Sequence, residues 1–518
     1  MNQRSRTLSN TFFSSVGMYT EYVLGMLTSI VIARHLGPDG FGAYSLVIWL
    51  VGLGVAITNS GTASAAIKFV AELRGGERTE LIPYLLDYLR RAQRLFLLVV
   101  LLAGAATFVF AGEKIAPGMN HRLLLGFLVV AVALRASYMF NIGVAKGFEN
   151  FRATAAVALV STPINLALVL LAMWLDAPVE WLLAVFVVSS VVFFGMSFRQ
   201  IAPLLPPRRA GLELPAPLLA RVRRHMGWTA LTVSVGFFAA SEVEVMFLNM
   251  YAGSHAAGQF KVAYQLAIGA ATLVPGVFSA LLLPMMAGAL SRGREVAARR
   301  FVGTTSYLTL LAAPLIAFGM AFGGDAIRFM YGAEYAPAGP VFAICLTATC
   351  VAAMTAGASS LLVSADRQRS ILLLVVVCGL IKLGLDAVLI AHFGLYGAAF
   401  AFLSVACVSA VCYAAIAIRA SHAQPEWGRL ARILLAAALA GIVASPLRGH
   451  MQPLVPVLLG GTLLVLVYAL LTLLLGCWGR GDIEHLQHLH QRFAAGRPRA
   501  GARFLEWASR RAPAEDAP

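Results

Sequence analysis

The chain has 518 residues, 59% of them hydrophobic and only 12% charged, with a mean hydropathy of +0.80 and a formal net charge of +16. Globular domains carry about a quarter charged residues, so this composition excludes a soluble enzyme and marks an integral membrane protein. The positive balance would suggest nucleic acid in a soluble chain; here it concerns which loops hold the lysines and arginines, and no nucleic acid is expected as a partner.

A hydrocarbon core of about 30 Å needs near 20 apolar residues per helix, and runs of that length predict an all-α protein of about fourteen spans. The first, residues 11–33, lacks a small-residue cleavage site and reads as a retained span. It carries Glu21 about 15 Å deep at 1.5 Å per residue, flanked by Tyr19 and Tyr22. That carboxyl is either protonated and hydrogen-bonded within a bundle or a site for a proton or cation. The motif ARHLGPDGFGAYS leads into the second span, 41–67, followed by 94–112, 123–145, 154–175 and 180–201. Arg135 lies deep in the fourth, with Tyr138 and Asn141 one and nearly two turns further on. Such a cation either holds phosphate or pairs with Glu21. Asn165 follows Pro163 in the fifth span.

A basic stretch, 202–226, precedes the seventh span, 227–250, in which Glu242 and Glu244 point roughly 200° apart around the helix and cannot form an acid pair. Both are expected in its outer part, where they can snorkel to the interface. Spans 261–287, 301–322 and 340–363 lead to the eleventh, 370–392, where Lys382 and Asp386 share one face at i,i+4 and can neutralise each other. Spans 395–418, 430–447 and 454–477 complete the set. In the basic tail, 478–518, Ile483, Leu486, Leu489 and Phe493 recur at the spacing of a helix lying on the membrane surface. Prolines 163, 275, 284 and 314 are expected to kink or break their helices. The six cysteines, without CxxC spacing, read as buried small hydrophobes, and no metal or cofactor is expected.

Placing the N-terminus in the cytoplasm assigns about 32 of the 40 lysines and arginines to cytoplasmic segments, which orients both termini there. An internal repeat runs through the pattern. An offset of 216 sets Gly37 on Gly253, Gly42 on Gly258 and Tyr44 on Phe260; an offset of 217 sets Arg152 on Arg369 and Asn165 on Lys382. Six spans separate the equivalents, so the halves run the same way through the bilayer, related by an axis along its normal. The expected organisation is an N-lobe at 1–201, a basic linker at 202–226, a C-lobe at 227–418, two further helices within 430–477 and the tail. A cleft between such lobes suits alternating access.

No nucleotide-binding loop, HExxH or GxSxG motif occurs, which argues against a pump driven directly by nucleotide and gives no support to an enzyme. ARHLGPDGFGAYS, YGAEYAPAGPVF from Tyr331 and LYGAAFAF from Leu395, in this order and spacing, resemble the polysaccharide biosynthesis and export family of the multidrug/oligosaccharidyl-lipid/polysaccharide flippase superfamily, which includes O-antigen flippases. Relatives often have an Asp-Arg pair in the seventh span where this chain has Glu244 and Val245, so no arginine role is carried over. The resemblance implies a non-enzymatic flippase in the bacterial inner membrane, moving an oligosaccharide linked through pyrophosphate to a polyprenol. Membrane lipids, a coupling H+ or Na+, and a glycan polymerase and glycosyltransferases of the same pathway are the implied partners. The substrate-binding candidates are Arg135, Lys382, Asn141, Asn165 and Tyr138, and the ion-coupling candidates Glu21, Glu244 and Asp386. A cation-coupled multidrug extruder of the same superfamily is the competing reading, and a membrane-embedded glycan polymerase or ligase ranks below it, because the outer loops are short.

Overall fold

In the computed structural model, residues 3–115, 120–207, 212–240, 242–273, 275–448 and 452–478 are described; the amphipathic pattern of the tail lies outside them. The described residues are almost wholly helical and contain no strand. Among the described residues ten helices are long and apolar enough to cross a membrane, or eleven if one bent pair counts as a single span. This is fewer than the fourteen expected, partly because two of the ten are very long. Helix α1, Gln3–Asn59, has 57 residues and would reach roughly 85 Å if straight. It is interrupted at Gly37 (φ 65°), after which Pro38 opens the second half at a position where a missing N–H costs nothing.

The chain divides into two compact units, Met1–Val262 with Val375–Ala398, and Ala263–Leu374 with Ala399–Pro518. The first contains α1, α2 (Thr62–Gly75), α3 (Ile82–Ile115), α4 (His121–Gly147), α5 (Phe151–Trp174), α6 (Val179–Ile201), α7 (Ala216–Ala240) and α8 (Val243–Tyr251), with the start of α9 (Gly253–Leu273). Helix α1 packs along α5 and α4, and α6 packs on both α4 and α5. One apolar core joins α2, α3 and α4 through Phe69, Ile82, Leu85, Phe140 and Val144. The seventh predicted span is broken: α7 and α8 meet at a 50° bend, which puts Glu242 at the cap of α8 and Glu244 in its first turn. Pro163 and Pro314, by contrast, sit inside continuous helices.

The second unit holds α10 (Ser279–Ser291), α11 (Arg294–Tyr331), α12 (Ala338–Met354), α13 (Ala356–Ser364), α15 (Trp427–Ala444) and α16 (Gly461–Leu474). Helix α14, Gln368–Ser421, is interrupted at Gly394 and contributes to both units. Ala313 and Ala317 of α11 meet Ala436, Ala437 and Ala440 of α15 in a small-residue seam, the packing that lets helices approach closely in lipid. Arg429 and Arg432 donate to the carbonyls of Cys477 (2.9 Å) and Leu475 (2.8 Å), satisfying groups left open beyond the end of α16. Of the six cysteines, Cys407 is exposed and Cys412 half-buried, so burial accounts for only four.

The repeat is written in the backbone. Gly37 and Gly253 both have positive φ (65° and 85°), as do Glu149 and Asp366 (55° and 56°), at offsets of 216 and 217. A Cβ on Gly42 would overlap the Ser254 carbonyl oxygen, and one on Gly258 would overlap that of Pro38. Pro38 and Ser254 are themselves 216 apart, so this is one contact made twice by equivalent residues, and both glycines are required by the closeness of the backbones.

Candidate functional site

Arg135 is held from the side by α6. Phe186, Ser190 and Phe193, at i, i+4 and i+7, form one helical face. The half-buried guanidinium lies between the two rings, 4.7 Å from the Phe186 centroid and 4.4 Å from that of Phe193, with Tyr138 at 5.9 Å. Its Nε donates to Ser190 Oγ at 2.9 Å. Ring faces attract a desolvated cation by about 2 kcal/mol, so the cage holds the charge without neutralising it. Among the described residues no acceptor meets the terminal nitrogens, which leaves the two-pronged end of the fork free. Glu21 and Tyr44 of α1 are near enough to act on Arg135 electrostatically, yet Glu21 is exposed and no ion pair joins it to Arg135 among the described residues. A buried amide junction stands behind this site. Gln93 Nε2 donates to Asn59 Oδ1 (2.8 Å) and to the Ala136 carbonyl (2.9 Å), and Asn59 Nδ2 donates to the same carbonyl (3.0 Å), tying α1, α3 and α4 together one residue beyond the arginine.

The second constellation is closed. Lys382 Nζ lies 2.8 Å from Glu244 Oε1 and 3.3 Å from Asp386 Oδ2, with Lys382 only 2% exposed and both carboxylates fully buried. The Asp386 contact is a hydrogen bond and the Glu244 contact a close charge pair. One cation faces two carboxylates, so the fully ionised cluster has a net charge of −1 in a dry environment, an expensive arrangement. Glu244 Oε2 and Asp386 Oδ1 have no hydrogen-bond partner among the described residues. The snorkelling expected of Glu244 is not what the bend at the start of α8 produces: it turns this side chain inward, while Glu242 pairs with Lys261.

Of the remaining candidates only Tyr138 belongs to either constellation. Tyr138 is buried and packs edge-on against Phe193 (5.1 Å between centroids). Asn141 is buried too, and its amide donates to Ser197 Oγ at 3.0 Å, bracing α4 against α6. Asn165 is half-buried on α5. Thus Arg135 and Tyr138 share one cluster and Glu244, Lys382 and Asp386 another. The cage residues Phe186, Ser190 and Phe193 were absent from the sequence candidates; their i, i+4, i+7 spacing is shared by many apolar positions in the spans and did not single them out.

Apolar helices of membrane-spanning length in this arrangement define a multi-pass membrane protein. Residues 7–290, more than half the chain, match the family described as polysaccharide biosynthesis protein. The chain belongs to that family. No curated protein matches it by sequence. Its fold is similar to that of a structure described as the lipid II flippase MurJ in an inward closed conformation, with a TM-score of 0.70 and 12% identity over 89% of this chain and 98% of that one. It is also similar to an inward-facing multidrug resistance MATE family transporter of the MOP superfamily, with a TM-score of 0.60 and 13% identity over 79% of this chain and 99% of the other.

Proposed function

We propose that the protein is a flippase that moves a polyprenyl-pyrophosphate-linked oligosaccharide across the bacterial inner membrane by alternating access, without chemical turnover of the lipid. The observation that carries this reading is the unneutralised guanidinium fork of Arg135, fixed by aromatic walls in the middle of an apolar helix. A mid-membrane charge needs a partner or a task, and a planar fork matches two phosphate oxygens. Membership of the polysaccharide biosynthesis family and a fold like that of a lipid II flippase support the same substrate class. In this reading residues 1–201 and 227–418 are the two lobes, joined by 202–226, with the helices of 430–477 appended and both termini cytoplasmic. Glycosyltransferases and a glycan polymerase of the same pathway supply and consume the cargo. Asn141 and Tyr138 brace the Arg135 helix, and Asn165 lies at the position equivalent to Lys382.

The surplus carboxylate in the Glu244–Lys382–Asp386 cluster suits the coupling role, because uptake of one H+ or Na+ would cancel its net charge. The rival reading, a cation-coupled multidrug extruder, rests on the exposed Glu21, which has no ion pair among the described residues, and on the likeness to a MATE transporter. Vesicles reconstituted with a fluorescent polyprenyl-pyrophosphate oligosaccharide test the two. Arg135→Ala should abolish most of the flipping while Glu21→Gln leaves it largely intact; the opposite ranking, together with uptake of amphipathic cations, favours the extruder. If Arg135 served only to neutralise Glu21, the double change Arg135→Ala with Glu21→Ala would restore flipping.

A further inference from the structure

A second basic feature lies outside both clusters, where α10 turns into α11. Arg292 ends α10, Gly293 reverses the chain at φ 126°, and α11 starts at Arg294. The hairpin borders an open pocket of about 230 Å³ lined by Met285, Gly288, Ala289, Arg292, Val296 and Arg300. Two arginines eight residues apart in sequence thus line one pocket whose other lining residues are apolar, and Met286, Ala289, Ala297 and Phe301 belong to one buried cluster beside it. Among the described residues neither Arg292 nor Arg300 has an ion-pair partner, and Glu295, though close in sequence, pairs with neither. Gly293 provides no side-chain cap for α11, so the first-turn N–H groups beside Val296 remain open as further donors. The cavity lies at the end where the span Arg294–Tyr331 begins, toward the polar side of its apolar stretch. The fold does not require these arginines: the repeat-equivalent positions carry Gly76 and Tyr84.

We infer that this cavity is a binding site for the phosphodiester headgroup of an anionic membrane lipid, with the phosphate on Arg292 and Arg300 and the glyceryl and first acyl carbons over Met285, Ala289 and Val296. Basic pockets between membrane helices recognise lipid phosphate in this way. The apolar floor favours a lipid over free phosphate, since only a lipid gains from covering it. The site is independent of the Arg135 reading and is read by binding, so it stands or falls separately from transport.

The full-length protein in detergent, titrated with phosphatidylglycerol or phosphatidylcholine and followed by native mass spectrometry, tests this. Phosphatidylglycerol should bind at least about tenfold more tightly than phosphatidylcholine, and Arg292→Gln with Arg300→Gln should erase that preference, a loss of about tenfold or more. Arg299→Gln, outside the cavity, should leave it unchanged, and inorganic phosphate at tens of millimolar should compete only weakly. Gel filtration and thermal melting confirm folding; the exposed arginines tolerate replacement. An undiminished preference in the double variant overturns the site. An equal loss in Arg299→Gln shows diffuse charge attraction and overturns it too, and complete displacement by inorganic phosphate overturns the lipid assignment.

Discussion

Arg135 and Lys382 are both cations in the middle of apolar helices, and the protein treats them in opposite ways. Lys382 is buried and over-neutralised by two carboxylates; Arg135 is half-buried, walled by aromatic rings and, among the described residues, hydrogen-bonded through Nε alone. An ammonium that meets its counter-charges inside the protein has little left to offer a ligand, whereas a cation held by quadrupoles keeps its charge and its directional donors. The difference separates a device that balances charge from one that recognises an anion, and graded substitutions can break it.

The largest effect is expected at Lys382. Lys382→Ala leaves Glu244 and Asp386 facing each other in a dry site, and removing one partner of a buried ion pair typically costs about 3–5 kcal/mol. Thermal melting of the purified variant and its folded yield measure this loss. Replacing all three residues by leucine should recover most of the stability, because uncharged packing often equals a buried ion cluster. Flipping driven by an ion gradient should remain lost in that triple variant, so a stable triple variant with full coupling would remove the coupling role from this cluster.

Arg135→Ala comes next and should invert the pattern. Stability changes little, while transport falls by about ten- to a hundredfold, as loss of a charge-assisted hydrogen bond of about 1.5–3 kcal/mol implies. Arg135→Lys should fall between, because the ammonium keeps the charge but not the fork. Initial flipping rates in vesicles at matched protein content provide the measurement. A melting loss in Arg135→Ala as large as that in Lys382→Ala would mean that both cations are structural.

A third, smaller effect tests the walls. Phe193→Leu keeps an apolar side chain of similar reach but removes one ring face, a contribution of about 0.5–2 kcal/mol. Flipping should drop several-fold, with Phe186→Leu giving a comparable drop, since the two rings lie at similar distances from the guanidinium.

What the sequence discloses about these features follows from how tightly each constrains residue identity. The repeat was legible because Gly37, Gly42, Gly253 and Gly258 serve positive φ or backbone contact, which few other residues tolerate. The Lys382–Asp386 pair was legible because i,i+4 spacing on a helix fixes proximity. Glu244 approaches Lys382 from 138 residues away, through a bend between α7 and α8 that no proline announces, so that contact was invisible. The aromatic cage was hidden for a different reason: among 30 phenylalanines, most of them in apolar spans, Phe186 and Phe193 carry no mark of their own. Hydropathy likewise divides what the backbone joins, since it registers the length of apolar runs and not whether a helix resumes directly after a break such as Gly37 or Gly394.

The smallest effect is expected at Ser190, and it decides what holds the fork in place. Ser190 Oγ accepts from Arg135 Nε and donates its own hydroxyl to the Phe186 carbonyl at 2.7 Å, so it aims the guanidinium and at the same time fixes the turn of α6 that carries one wall of the cage. Ser190→Ala removes both bonds in a fully buried position. The hydroxyl leaves with its proton, the Phe186 carbonyl keeps its helical bond, and only Nε loses an acceptor, so the net cost is about 0.5–1.5 kcal/mol. If the rings alone orient Arg135, flipping changes by less than about twofold. If the Ser190 contact sets the angle at which the terminal nitrogens meet phosphate, flipping falls about three- to tenfold with melting lowered only slightly. Ser190→Thr, which restores the hydroxyl, should then recover the rate, an outcome that a purely packing role for Ser190 does not produce.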